Sequence, residues 1–395
     1  MNKWTSYSLA NVANLLDCLH KTPAYSDSGY PIVRVTDIKK GYLKLDSCLK
    51  VDERNFKLFS KQYVPQKGDI VFSRVGSYGI SSLVRHSQVF CIGQNTVLII
   101  PKKINGEFLF YYLTSSDAFN QIEGLVAGST QPTISMKSIR EIEVPFPPLP
   151  EQERIAEILS SLDDKIDLLH RNNNTLEQLA ETLFRQWFVE EAQDSWEEVT
   201  LGSLCNKITK GTTPTTMGKP FVELGINFIK AESLNEVGGF IKNKFSFVDE
   251  STYDLLKRSQ IKEGDILFTI AGTIGRTAIV TSSILPANTN QAVAIIRVDN
   301  EKINQTFMKY VMKSDYIKEI METKIVHAVQ PNLSLGEISD TKIKLPPKWK
   351  LDKFKLVGQN LQDKINHNNE LIQQLENLRD TLLPKLMSGA VRVEN

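Results

Sequence analysis

The chain has 395 residues, 41% hydrophobic and 24% charged, with 47 Lys and Arg against 46 Asp and Glu. This suits a folded protein of two or three domains. No stretch approaches 18 uninterrupted apolar residues, and the opening MNKWTSYSLANV has no basic segment ahead of an apolar one, so no membrane span and no secretory leader are expected and the cytoplasm is the expected location. The four cysteines (Cys18, Cys48, Cys91, Cys205) form no C-x-x-C, and the five histidines form no H-x-x-x-H pair, so neither a disulfide framework nor a metal site is expected.

From the amino terminus, the Trp-led KWTSYSL predicts a strand, and a variable stretch follows. DIVFSRVGSYG, with a β-branched and aromatic run ending in G-x-x-G, predicts a hairpin. Beyond further strands, FLFYYLTSSDAFNQI predicts one helix, QPTIS a turn and REIEVPFP a strand. A proline-rich junction, PFPPLP, then opens a long helix. The same series recurs: SWEEVTL, the hairpin DILFTIAGTIG, the helix TFMKYVMKSDYIKEI, the turn QPNLS, the strand TKIKLPPK and a second long helix.

The recurrence is a sequence repeat. KGDIVFSRVGSYGISSLV (67–84) matches EGDILFTIAGTIGRTAIV (263–280) at an offset of 196, as do PIVRVTDI over NFIKAESL and TVLII over AVAII. Later anchors, QPTIS over QPNLS and LEQLAETLF over LENLRDTLL, lie at 199, the drift of a small loop insertion. One mixed α+β unit with a helical arm is therefore written twice. The expected division is a first globular domain at 1–150, a central helical spacer at 151–193, a second globular domain at 194–347 and a C-terminal helical spacer at 348–395. Residues 3–150 hold 17 Lys and Arg against 12 Asp and Glu, whereas 151–194 hold 4 against 11. A basic head and an acidic arm fit different partners, a polyanion at one and not at the other.

In the central arm Ile155, Leu159, Leu162, Ile166, Leu169, Asn173, Leu176, Ala180, Leu183 and Trp187 follow a 4-3 spacing, a coiled-coil seam with one polar slot. The tail arm offers Leu361, Ile365, Asn368, Ile372, Leu375, Arg379, Leu382 and Leu386. Its asparagine does not fall at the repeat equivalent of Asn173, which is Ile372. Antiparallel pairing with Asn173 facing Asn368 resolves the mismatch, because it sets Leu176 against Ile365, Ala180 against Leu361, Ile166 against Leu375, Leu169 against Ile372 and Leu159 against Leu382. An Asn buried against Leu would leave its amide unpaired, at about 1–3 kcal/mol. Asn173 and Asn368 are thus expected to fix the register. Leu162 against Arg379 and Leu183 against Gly358 are poorer layers, and Pro384 is expected to end the tail helix before Leu386. The 33 residues from Ile155 to Trp187 make roughly 48 Å of helix at 1.5 Å per residue, enough to separate two readers by about the 34–36 Å between adjacent turns of DNA.

The junction PFPPLPEQERIAEILSSLDDKIDLL, the paired GDILFTIAGTIG-type hairpins, the QPNLS turn and the LLPKLMSG end resemble the specificity subunit of type I restriction–modification systems, over essentially the whole chain. The second junction, LPPKWKLDKF, lacks the Glu-Gln of the first, so the two arms need not start alike. The resemblance implies two target recognition domains (mixed α/β with a twisted sheet) separated by an antiparallel coiled coil, related by a pseudo-two-fold axis. Each would bind one half of a bipartite, asymmetric double-stranded DNA target. It further implies two modification (methyltransferase) subunits docked on the coil and restriction subunits joined through the complex. S-adenosylmethionine, ATP and Mg would then belong to those partners, with no cofactor and no catalytic residue on this chain. Consistent with this, no N/D-P-P-[YF] tetrapeptide in a methyltransferase context and no G-x-x-x-x-G-K-[ST] occur. The other readings are a coiled-coil adaptor that binds no DNA and a stand-alone endonuclease using Asp315 with Glu322-Thr323-Lys324.

If the copies read different half-sites, scaffold residues should match and reader residues should differ. Gly68, Asp69, Phe72, Gly76 and Gly79 match Gly264, Asp265, Phe268, Gly272 and Gly275 and read as scaffold. The divergent hairpin residues Arg74, Tyr78 and Arg276 are candidates for DNA contact, or else solvated side chains. Lys21, Thr22 and Tyr25 in HKTPAYSDSGY, Lys39 and Lys40 before Gly41, and Lys210, Thr212, Thr213 and Lys219 in TKGTTPTTMGK sit in polar loops suited to a phosphate backbone, or to ordinary linkers. Gln131 and Gln330 match between copies, which favours a structural or shared backbone contact.

Overall fold

The computed structural model describes residues 4–127, 132–325 and 333–393. The chain divides into two units, residues 1–168 with 372–395, and residues 169–371.

In the first unit the order is β1 (Thr5–Ser8), α1 (Leu9–Val12), β2 (Ala13–Asp17), β3 (Tyr30–Val33), β4 (Gly41–Tyr42), β5 (Lys50–Val51) and α2 (Glu53–Phe59). Then come β6 (Ile70–Ser73), β7 (Ser81–Leu83), β8 (Cys91–Ile92), β9 (Thr96–Pro101), α3 (Gly106–Leu113), α4 (Ser116–Leu125), β10 (Val126–Ala127), β11 (Thr133–Ile134), α5 (Met136–Glu141) and β12 (Glu143–Phe146). The long helix α6 (Leu149–Arg185) runs on into the second unit. There follow β13 (Glu197–Thr200), β14 (Cys205–Lys210), β15 (Ile226–Ile229), β16 (Ser246–Val248), α7 (Glu250–Leu255), β17 (Ile266–Thr269), β18 (Thr277–Ile279) and β19 (Ala287–Thr289). The last elements are β20 (Val293–Val298), α8 (Gln305–Lys313), α9 (Asp315–Ile325), α10 (Leu335–Asp340), β21 (Lys342–Leu345) and α11 (Lys348–Met387), which returns to the first unit.

Both heads carry the same scaffold. A five-stranded sheet β2-β9-β6-β7-β4 faces a three-stranded sheet β5-β3-β8 in the first, and β14-β20-β17-β18 faces β16-β15-β19 in the second. Side chains alternate across the larger sheet, as strand geometry requires. Ile70 and Phe72 point with Val97 and Ile99 toward α3, while Val71 and Leu98 join the core under the smaller sheet. Ile266 and Phe268 with Ala294 and Ile296, against Leu267 with Val293 and Ile295, repeat that pattern. The Trp-led strands close each head on its exit strand: β1 pairs with β12 and β13 with β21. At the hairpin turns Gly76 and Gly79 have φ of 70° and 75°, and Gly272 and Gly275 have 75° and 95°, backbone that side-chain-bearing residues rarely adopt.

Two sequence expectations are corrected. The predicted single helix after β9 is two helices, α3 and α4, because Ser115 Oγ caps the second by accepting from Ala118 N, and Ser314 Oγ accepts from Ile317 N between α8 and α9. Pro384 does not end the tail helix before Leu386. A proline in the final turn breaks few bonds, and Leu386 and Met387 are buried in the first unit's core, which holds that turn in place.

The arms run antiparallel in each unit. In the first, Asp163 meets Arg379 and Glu151 meets Arg392; in the second, Asn173 meets Asn368 and Trp187 packs edge-to-face against Phe354. Arg379, expected in a poor layer against Leu162, places its guanidinium on Asp163 at 2.8 Å. No helix among the described residues is long and apolar enough to cross a membrane.

Candidate nucleic-acid interface

Because β2 and β6 are both antiparallel to β9, three connections emerge at one end of the large sheet of the first head: the loop after β2, the β6–β7 turn and the turn before β9. Backbone bonds join them, Arg74 N donating to Asn95 O at 2.9 Å and Ile134 N to Arg74 O at 3.0 Å. In the second head Ile270 N donates to Ala292 O at 2.8 Å and Leu333 N to Ile270 O at 3.2 Å, the equivalent pair. Each head therefore presents one edge made of loops on a rigid sheet.

The sequence-predicted residues gather at these edges. Lys21, Thr22 and Tyr25 are exposed in the loop after β2, and the Thr22 hydroxyl lies 3.4 Å from the Gln94 side-chain amide. Lys39 and Lys40 are exposed just before β4, which runs parallel to β7 from the same end. In the second head Thr212 and Thr213 occupy the loop after β14 that ends at β15, with Lys210 closing β14 and Lys219 beyond a 3-10 turn at Pro214–Met217. Thr213 bonds the Gln291 amide, and Thr212 Oγ1 accepts from Arg258 at 3.1 Å. Gly211 permits this path, since a Cβ there would stand 1.9 Å from Thr289 O.

The hairpin candidates are engaged within the protein. Arg74, 14% exposed, donates to both Asp17 oxygens at 2.7 and 2.8 Å and reaches Ile134 O at 3.3 Å. Its repeat equivalent, Ile270, is buried in the second head's core. Tyr78 donates to Glu123 at 2.5 Å. Arg276 donates to Leu234 O at 2.9 Å and to Glu236 at 3.3 Å. Gln131 and Gln330 lie outside the described residues.

Sequence reasoning missed Gln94, Gln291 and Arg258. The first two stand between matched anchors, where an amide on a turn beside a strand was the available signal; Arg258 lies just before the EGD anchor and carried none.

Asn368 Nδ2 donates to Asn173 Oδ1 at 2.8 Å, so the structure brings the two seam asparagines together. Asn173 Nδ2 in turn donates to Asn369 Oδ1 at 2.9 Å, a third amide that the seam spacing did not reveal. Farther along, Glu177 is 4% exposed and takes Lys309, 1% exposed, at 3.1 Å and Lys313 at 2.6 Å. Tyr310 donates to Glu177 at 3.2 Å, and Lys309 donates to Gln362 at 2.8 Å. Burial pushes Lys309 below the ordinary lysine range, while Lys313, reaching Glu181 as well, is held above it.

Among the described residues, Asp17, Cys18 and His20 bring possible ligand atoms within 4.8 Å of one another. Asp17 is already bound by Arg74, and burial pushes the Cys18 thiol up, away from the thiolate that a metal would need. Asp315, of the nuclease-like string, opens helix α9 and pairs with Lys318 at 2.9 Å.

Comparison with known proteins follows the same division. A family model described as type I restriction modification DNA specificity domain matches residues 1–178 and again 193–377. The chain is similar to the type I restriction enzyme MjaIX specificity subunit of Methanocaldococcus jannaschii, 27% identical over 87% of this chain and 82% of the relative. It is also similar to the HindI specificity subunit of Haemophilus influenzae, 23% identical over 99% and 100%. Among solved structures, the S subunit of a type I restriction–modification system from M. genitalium shares the fold, with a TM-score of 0.58 and 20% identity over 97% of this chain and 96% of that one.

Proposed function

The chain belongs to the type I restriction modification DNA specificity family, and from that premise we propose that it is the DNA-recognition subunit of a type I restriction–modification complex. Each head takes one half of a split, asymmetric duplex target, the paired arms set the gap, and two methyltransferase subunits dock on them, with restriction subunits joining through the complex. What carries the reading is duplication with divergence. Two heads share one sheet scaffold and the same hairpin glycines, yet end in loop edges whose side chains differ, as the exposed Lys21, Thr22 and Tyr25 differ from the half-buried Thr212, Thr213 and Lys219.

In this reading Lys21, Lys39, Lys40, Lys210 and Lys219 position the heads on phosphates, with Thr22, Tyr25, Thr212 and Thr213 closer to the bases. Arg74, Tyr78 and Arg276 hold the hairpins and their neighbouring loops in shape. The chain is non-catalytic and acts in the cytoplasm; S-adenosylmethionine, ATP and Mg serve the partner subunits. The endonuclease alternative is disfavoured because Asp315 sits on a helix and is paired with Lys318, not on a strand hairpin.

The test is methylation mapping of host DNA with and without the gene. The expected result is a split motif that loses its modified adenines when the gene is deleted; an unchanged methylome would refute the reading. Binding by the assembled complex should also weaken steeply with salt, with a log–log slope of about −0.9 per phosphate neutralised.

A further inference from the structure

The second head contains three arginines, and their surroundings separate them. Arg297 is held bidentate by Asp265 at 2.6 and 2.7 Å, and Arg276 by Leu234 O and Glu236. Arg258 is exposed and has no carboxylate within ion-pair distance among the described residues. Its guanidinium is parked at the loop edge by one neutral partner, Thr212 Oγ1 at 3.1 Å, and Lys207 Nζ lies 3.5 Å from its carbonyl oxygen. A guanidinium left with most of its donors open, in the 3-10 turn Lys257–Ser259, beside a second cation and against the loop that carries Thr212, is placed to take acceptors from outside the protein.

The repeat adds an independent observation. Arg258 stands six residues before Gly264, and Gln62 stands six before Gly68, both exposed. Counted forward from the Asp52 and Asp249 caps of α2 and α7, Arg258 falls instead opposite Lys61, because the second head is one residue shorter between cap and glycine. In the major groove Arg pairs with guanine O6 and N7, whereas Gln pairs with adenine N6 and N7. Arg258 thus carries guanine-reading chemistry that the first head, with Lys61 or Gln62 there, does not repeat.

Resting on the function proposed above, we infer that Arg258 is a specificity-determining residue of the second head, which reads a guanine in one half of the target. The test uses the subunit co-expressed with its methyltransferase partners and maps methylated sites. Arg258→Ala should relax a single G·C position in one half-site, with about 5- to 150-fold of discrimination lost there, while the other half stays unchanged and reports a folded subunit. Arg258→Gln should move preference at that position from guanine toward adenine. An unaltered motif in both variants overturns the inference, as does a uniform fall in methylation at every site, which would mark a phosphate contact or a structural role. A wild-type complex that methylates no split motif defeats the proposed function itself, so the two failures are distinct.

Discussion

Replacing Glu177 with alanine removes the carboxylate shared by the buried ammonium of Lys309 and the partly exposed one of Lys313. Lys313 keeps Glu181 at 2.7 Å, so the loss falls on Lys309, which retains only the neutral oxygens of Gln362 at 2.8 Å and Tyr310 at 3.4 Å. Stripping one partner from a buried pair costs about 3–5 kcal/mol, and at about 2–4 °C per kcal/mol for a unit of this size the melting temperature should fall by roughly 6–20 °C. The first copy suggests the rescue, since Phe110 stands where Lys309 does, each five residues after an Asn cap. Glu177→Leu combined with Lys309→Met should therefore recover most of the loss, because apolar replacement of a buried ion pair is close to neutral. The pH dependence has a definite sign. Burial holds Lys309 below the ordinary 10.5, so the unfolded chain binds that proton more tightly and stability rises with pH up to about 10.5. Lys313, held up, works the other way, and its contribution is lost only above that value. In Glu177→Ala the rise below 10.5 should begin at lower pH. Thermal and urea unfolding of the purified chain read all of this. A loss under about 1 kcal/mol, the range of exposed pairs, or a double variant no more stable than the single one, would refute the reasoning.

Asn173→Leu alone should destabilise by about 1–3 kcal/mol, by stranding Asn368, whereas Asn173→Leu with Asn368→Leu should restore stability and loosen register, seen as disulfide trapping of shifted cysteine pairs along the arms; one trapped register in the double variant would count against the amide pair. Arg74→Ala should cost about 1.5–3 kcal/mol through the lost charge-assisted bonds to Asp17, measured by urea unfolding, and leave the recognised motif unchanged, since its guanidinium is spent within the protein. Burial pushes the Cys48 thiol up to about 11 and those of Cys91 and Cys205 up to about 12, so a disulfide reagent at pH 8 should leave the buried Cys48 and Cys91 unlabelled in the native chain, label the half-buried Cys205 slowly, and label all three in denaturant; rapid native labelling of Cys48 or Cys91 would contradict their burial.

The repeat was legible because glycines at positive φ and alternating strands tolerate few substitutes, so Gly76, Gly79, Gly272 and Gly275 still mark both hairpins. The seam was legible because a 4-3 spacing survives wherever two helices share a core, and the offset of its two asparagines contained the antiparallel register. The extra helix starts were present in the Ser-Ser-Asp and Lys-Ser-Asp of the predicted single helices, cap signals that apolar periodicity overrode. The ion pairs were not legible. Arg74 finds Asp17 across 57 residues and Lys309 finds Glu177 across 132, and no local pattern distinguishes a lysine that enters a core from one that faces water. Arg258 was hidden for the opposite reason, since only the environments of Arg276 and Arg297 set it apart.

The same divergence also governs how each head seats on its arms. In the first unit Tyr111 donates to Asp163 at 2.8 Å, and Asp163 accepts from Arg379 as well; Arg85 reaches Asp164 and, at 2.7 Å, Glu107. In the second, Tyr310, Lys309 and Lys313 converge on Glu177. At the repeat positions of Asp163 and Arg379 stand Gln362 and Ala180, and at those of Lys309 and Lys313 stand Phe110 and Thr114. Were α3 to seat where α8 does, Glu177 would lose both lysines and face Phe110, a buried carboxylate without a cation at about 3–5 kcal/mol. Were α8 to take the place of α3, Lys309 would enter a site whose acid is already shared by a tyrosine and an arginine. Two scaffolds built alike thus reject each other's arms through a few buried charges, by penalising the wrong pairing and not only by favouring the right one.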